Sequence, residues 1–178
     1  MNFWDNIFSF SQKESEGEAL YFKLFELFVV SFVIHFAWDW GIYTQQISEV
    51  VLPLGIAEYI DISFMFDHNI SLINAALMPL FAGFGFFRIF SRYSYLIAFA
   101  LFHLHYAARF SLGEISHGSN FIGMSLLALA LALLLFRNPT TYRRFALGFV
   151  IFFVGLGYTS AGISKLIGTG LTWPSGEH

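Results

Sequence analysis

The sequence predicts an all-α, multi-pass transmembrane helical bundle of about five helices, with its N-terminus inside and its C-terminus outside. Three observations carry that expectation. Of 178 residues, 57% are hydrophobic and only 12% are charged, about half the charged share of a typical soluble domain. Apolar segments long enough to cross a hydrocarbon core, which takes roughly 20 residues, recur along the chain at about Ala19–Tyr43, Ser71–Phe90, Tyr93–Leu112, Asn120–Phe136 and Phe145–Lys165. Lys and Arg gather in alternate connections: Arg88 and Arg92 in one, Arg137, Arg143 and Arg144 in another, with Lys13 and Lys23 near the first span. Short cytoplasmic loops carry that excess of positive charge, which sets the orientation and points to a cell (inner or plasma) membrane.

Residues 1–18 read as an interfacial lead-in. Phe3, Trp4, Ile7, Phe8 and Phe10 alternate with Asp5, Lys13, Glu14 and Glu16, and no basic stretch precedes an apolar core as in a cleavable signal. The transmembrane domain then spans 19–165. In its first segment Lys23 and Glu26 have the i, i+3 spacing of a helical ion pair, and His35 and Asp39 share a face at i, i+4, where the carboxylate is placed to fix the imidazole tautomer. The outer loop at 44–70 has no Lys or Arg but carries Glu49, Glu58, Asp61 and Asp67. Its apolar run from Val50 to Ile56 is suited to the interface or to folding over the bundle.

Pro79 falls inside the second segment and predicts a kink, tolerable where neighbouring helices pack around it. Gly83 and Gly85 nearby read as helix packing. The third segment is the least apolar. His105 and Arg109 share one of its faces, whereas His103 lies about 200° from His105, so the two histidines do not address one ligand. The fourth, with its Leu–Ala run from Leu126, holds no ionisable group beyond His117 at its entrance. Ser119 or Asn120 is the expected N-cap, placing His117 just above the membrane at a positive helix end. In the fifth, Gly155, Thr159 and Gly162 form a small-residue stripe for close helix approach, while Tyr158 and Lys165 share another face. Lys165 is either a snorkelling rim cation or an amine that apolar surroundings and Arg109 turn into a base. Residues 166–178 form an outer tail.

Composition also excludes chemistry. Cysteine is absent, so disulfides, thiolate zinc sites and iron–sulfur clusters are ruled out, and no metal site is expected. There is no basic cluster of the kind that binds nucleic acid, and no P-loop, HExxH or nucleophile-elbow pattern in a supporting context.

Ala161-Gly162-Ile163-Ser164-Lys165, preceded by Tyr158 and followed by Trp173-Pro174-Ser175-Gly176, resembles the AG-x-x-K … W-x-x-G stretch of vitamin K-dependent gamma-carboxylases and their bacterial relatives with the horizontally transferred transmembrane (HTTM) domain. Ser116-His117 at the fourth helix is similar to the N-H pair of that family, with Ser in place of Asn. Tyr21-Phe22-Lys23 resembles its first helix, with Lys for the commoner Arg. The resemblance implies that Lys165 deprotonates a reduced, vitamin K-like quinone, which reacts with oxygen to form a strong base. That base removes a glutamate γ-proton, the carbanion captures CO2, and His117 supports the carbanion step. The quinone would sit in an outer-face pocket beside Tyr158, Arg109 and the His35–Asp39 pair.

Two other readings stand beside this one. The chain is a non-catalytic subunit packed among other membrane-protein subunits of a respiratory or photosynthetic complex. Alternatively its histidines ligate haem or a chlorophyll, with His35 and His103 at comparable depth as the axial pair.

Overall fold

The computed structural model describes residues 15–43, 54–113 and 117–169, and these form an all-helical bundle. Five long helices follow one another: α1 (Glu18–Tyr43), α2 (His68–Phe86), α3 (Ser91–Ser111), α4 (His117–Leu135) and α5 (Pro139–Thr169). They run up and down in sequence, each packed on the next, and α1 also closes against α4 and α5. The expected interfacial lead-in lies almost wholly outside the described residues, as do Val50–Pro53, Ser116 and the tail with Trp173.

Four helices are long and apolar enough to cross a membrane by length and composition: Glu18–Gly41, His68–Phe86, Gly118–Leu135 and Pro139–Gly168. The more polar α3 has comparable length, 21 residues, and sits between α2 and α4. Tyr95, Ala98, Phe102 and His105 are buried there, so the Tyr95 hydroxyl and the His105 ring meet protein rather than lipid, which is where such groups are tolerated.

Helix ends refine the expected boundaries. The second helix starts earlier than expected, because the Asp67 carboxylate accepts from the N–H groups of Asn69 and Ile70 at 2.9 and 3.1 Å, the N-cap arrangement. It stops at Phe86 rather than Phe90. Arg88 and Phe90 take positive φ of 64° and 47°, a conformation that ends a helix and costs non-glycine residues energy. The fourth helix begins at His117, so neither Ser119 nor Asn120 caps it, and Ser119 is buried within its first turns. The fifth starts at Pro139, well before Phe145: Asn138 Oδ1 accepts from Thr140 N at 2.9 Å, a cap followed by proline at the first helical position. It continues past Lys165 to Thr169.

The core is aromatic and small by turns. Phe22, Val29, Val33 and Trp40 of α1 meet Met78 and Ala82 of α2, Tyr95, Ala98 and Phe102 of α3, and Ile122, Leu126 and Leu129 of α4. Gly123 lets the Phe102 ring approach, since a Cβ there would lie 3.4 Å from it. The described part of the connection between α1 and α2, 54–67, packs on α3, while most of the apolar run expected to lie at the interface or over the bundle falls outside the described residues. Two 3-10 turns, Gly55–Glu58 and Ser63–Phe66, place Ile62 and Met65 in a small core with Ala107 and Ala108 of α3. Asp61 punctuates this loop: the Ser63 hydroxyl and N–H hold its exposed carboxyl below the ordinary carboxylate range.

Candidate functional site

The basic end of the bundle is built around one buried carboxylate. Glu26 is fully buried, and its oxygens accept from Arg88 Nη1 and Nη2 at 2.8 and 2.9 Å. Tyr95 Oη adds a bond at 3.0 Å, and Lys23 Nζ lies 3.4 Å away. The expected Lys23–Glu26 pair therefore exists, but the bidentate arginine fork is the tighter partner. Lys23 also donates to the Phe86 carbonyl and lies over the Phe86 ring. Gly85 makes this possible: a Cβ there would sit 2.8 Å from three atoms of the Tyr95 ring. A second bidentate pair, Arg144 with Glu18 at 3.0 and 3.1 Å, ties α5 to α1. Every lone pair of Glu26 that matters is used, so this cluster holds the fold and offers no open position to a substrate.

At the opposite end the polar residues of the core meet at His105, which is 1% exposed. Asn74 Nδ2 donates to the Leu101 carbonyl at 3.1 Å, which fixes the orientation of the amide. Its other N–H is therefore aimed at His105 Nδ1, making that nitrogen an acceptor. The proton sits on Nε2, facing Ser71 Oγ at 3.2 Å. Trp40 stacks on the imidazole with 4.8 Å between ring centroids, and Arg109 lies 5.2 Å from the Trp40 ring. His105 and Arg109 thus share a face as expected, with Trp40 as their common neighbour. Both His105 nitrogens are thus engaged within the core, and Asn74 Oδ1 is a buried acceptor without a partner among the described residues.

The remaining histidines do not join this cluster. His35 and Asp39 are both exposed, and no hydrogen bond or ion pair joins them among the described residues. His35 instead contacts the rings of Phe32 and Phe36. His103 is exposed on the far face of α3, stacked between Phe99 and Tyr106 at 5.8 and 6.1 Å, which agrees with the angular separation read from the sequence. Among the described residues, no group of His, Asp and Glu is placed to hold a metal ion.

A cleft of about 650 Å3 opens between the start of α4 and the far half of α5, with Asn120 and Phe121 facing Phe153, Tyr158 and Ala161. Gly118, directly after His117, lines it too. Tyr158 is 79% exposed and Lys165 is exposed. Lys165 lies about 6 Å along the axis beyond Ala161 on the same helical face, and helical side chains lean back toward the N-terminus. It follows the cleft wall by one helical turn and is not itself one of the lining residues. Of the residues expected at the site, Tyr158 lines the cleft, and His117 only precedes its Gly118 in the chain. The structure does not bring Arg109, His35 or Asp39 there.

Sequence reasoning passed over Asn120 as a lining residue, Asn74 and Ser71 as the partners of His105, and Arg88 as the partner of Glu26. Only Asn120 carried a local signal, its place one helical turn after His117. No family model, no curated protein and no solved structure matches this chain.

Proposed function

We propose that this is an integral membrane protein that takes a reduced quinone-type lipid into the cleft between α4 and α5, with Lys165 as its proton acceptor. The observation that carries the reading is the cleft itself. It is lined by Phe121, Phe153 and Tyr158 together with Asn120, and Lys165 follows Ala161 of its wall by one helical turn. Flat aromatic rings suit such walls, hydroxyls suit a few fixed polar groups within a largely apolar pocket, and the open side leaves an isoprenoid tail among lipid chains. In the role the gamma-carboxylase resemblance implies, the Lys165 amine accepts the proton of a ring hydroxyl and becomes ammonium. The resulting quinolate is richer in electrons and gives them up to oxygen more readily than the neutral quinol. The gamma-carboxylase resemblance assigns a second proton transfer to His117.

In this reading the basic end, with Lys23, Arg88, Arg92, Arg137, Arg143 and Arg144, faces the cytoplasm of a plasma or inner membrane and the cleft faces outward. The test of the site is quinol-dependent oxygen uptake by the purified protein in bilayers, compared with Lys165→Ala. Unchanged uptake removes the base role.

A second reading, a subunit of a larger membrane complex, is favoured by a separate observation. Beyond Val150, α5 exposes Ile151, Phe152, Leu156, Ile163 and Ile167, and nothing lies within 4 Å of a Cβ built at Gly155 or Gly162. Among the described residues, nothing covers the stripe expected to receive a helix. Isolation from native membranes tests it: stoichiometric partners support it, and a clean monomer counts against it.

A further inference from the structure

A second concavity lies on the other side of the bundle, away from the cleft. It is a groove of about 330 Å3 between α1 and α2, walled by Ala37, Trp38 and Gly41 on one side and Leu72, Ala75 and Pro79 on the other. The helices approach closely at its upper end, where a Cβ on Gly41 would lie 3.5 Å from Leu72 Cδ2 and 3.7 Å from Ala75 Cβ.

The groove is apolar except at two points. Pro79 sits inside α2 and has no N–H, so the carbonyl one turn earlier, that of Ala75, loses its helical donor. Ala75 and Pro79 both line the groove, so this acceptor is on the groove face. Within a bilayer core no water is at hand to satisfy it, and such a carbonyl depends on what packs against it. None of the lining side chains of α2 carries a donor. The other polar group is the indole N–H of Trp38, whose side chain is 73% exposed along the α1 wall. Ala75 is about 10 Å along the axis from the His68 start of α2, below the level of phospholipid headgroups.

We propose that this groove binds a lipid alcohol, a long apolar chain or isoprenoid ending in one hydroxyl. The hydroxyl donates to the Ala75 carbonyl and accepts from Trp38 Nε1, and the hydrocarbon body runs on past Ile34 and Pro79 toward the middle of the bilayer. A hydroxyl is the smallest group that supplies both. An ester or ether offers no donor, and a carboxylate brings a charge that nothing in the groove neutralises. The site is independent of the α4–α5 cleft, so its failure leaves the proposed function untouched.

The experiment uses the full-length protein in phospholipid bilayers, with a long-chain primary alcohol carrying a photoactivatable diazirine in its chain. After illumination, labelled peptides are mapped by mass spectrometry, and the unlabelled alcohol and its methyl ether compete for the label. The expected result is label concentrated on 34–41 and 72–79, with the alcohol competing roughly fivefold better than the ether, the effect of one net hydrogen bond. Pro79→Ala restores the N–H with a residue that favours helix, and it should erase that preference while leaving the fold intact. Trp38→Phe, which removes only the indole donor and some of the wall, should weaken alcohol and ether alike and leave the preference between them in place. Label spread evenly over all lipid-facing helices overturns the proposal, as does equal competition by alcohol and ether, or a preference that survives Pro79→Ala.

Discussion

Replacing Arg88 by Met is the sharpest probe of how the basic end is held. The substitution keeps the length and apolar stem of the side chain and deletes both bonds, at 2.8 and 2.9 Å, to a carboxylate that is fully buried. Removing one member of a buried ion pair typically costs about 3–5 kcal/mol, because the other charge is left uncompensated. Two features reduce that here. The Arg88 side chain is 37% exposed, so solvent screens part of its attraction, and Lys23 stays 3.4 Å from Glu26 while Tyr95 keeps its bond. A loss of about 2–3 kcal/mol follows. In a protein of this size each kcal/mol moves the melting temperature by about 2–4 °C, so Arg88→Met should lower Tm by roughly 4–12 °C. The assay is thermal unfolding in detergent micelles, followed by tryptophan fluorescence. The companion variant Glu26→Gln/Arg88→Met removes both charges, and its amide oxygen still accepts from Tyr95. It should recover at least half of the loss. A Tm for Arg88→Met within about 2 °C of the wild type would refute the reasoning, as would a double variant no more stable than the single one.

The other predictions concern close packing and orientation. Gly85→Ala puts a methyl 2.8 Å from the Tyr95 ring, which is fully buried, so the ring must move away from Glu26. Overpacking of this kind costs about 1–3 kcal/mol, visible in the same melting experiment, whereas Gly148→Ala, with nothing within 4 Å and a better helix former in place of glycine, should hold Tm or raise it slightly. Because the chain has no cysteine, single-cysteine variants report sidedness without background. An impermeant maleimide added outside intact cells should label Glu58→Cys and spare Arg137→Cys, and the reverse pattern would invert the orientation.

What was legible in the sequence was mostly what is local. Apolar run lengths gave the helices and their order, and the i, i+3 spacing gave the contact of Lys23 with Glu26. The Asn138–Pro139 start of α5 was equally local, an amide cap before a proline, yet the apolar run beginning at Phe145 masked it. The end of α2 was obscured in the same way, because Phe87, Ile89 and Phe90 continue the hydrophobic run through a turn that the positive φ values of Arg88 and Phe90 create. Partners across helices left no pattern to read. Arg88 lies 62 residues from Glu26 and Asn74 lies 31 from His105, and only the packing of α1, α2 and α3 brings them together. The His35–Asp39 pair shows the converse error. A shared helical face permits a contact, but on an exposed face the two side chains gain little by making it. For the candidate site, Tyr158, His117 and Lys165 were identifiable as oddities in apolar helices. The cleft that Asn120 and Phe121 form with Phe153 depends on where α4 meets α5, and run lengths do not specify that.

The central claim is that the α4–α5 cleft holds a quinol with Lys165 as its base. Oxygen consumption by the purified protein in bilayers, supplied with a reduced prenyl naphthoquinone, tests it most directly. The account predicts uptake above a protein-free bilayer that falls at least tenfold in Lys165→Ala, the loss expected when a positioned general base is removed, and that exogenous primary amines partly restore. Uptake equal in the two proteins, or none above the protein-free bilayer in the wild type, would contradict it.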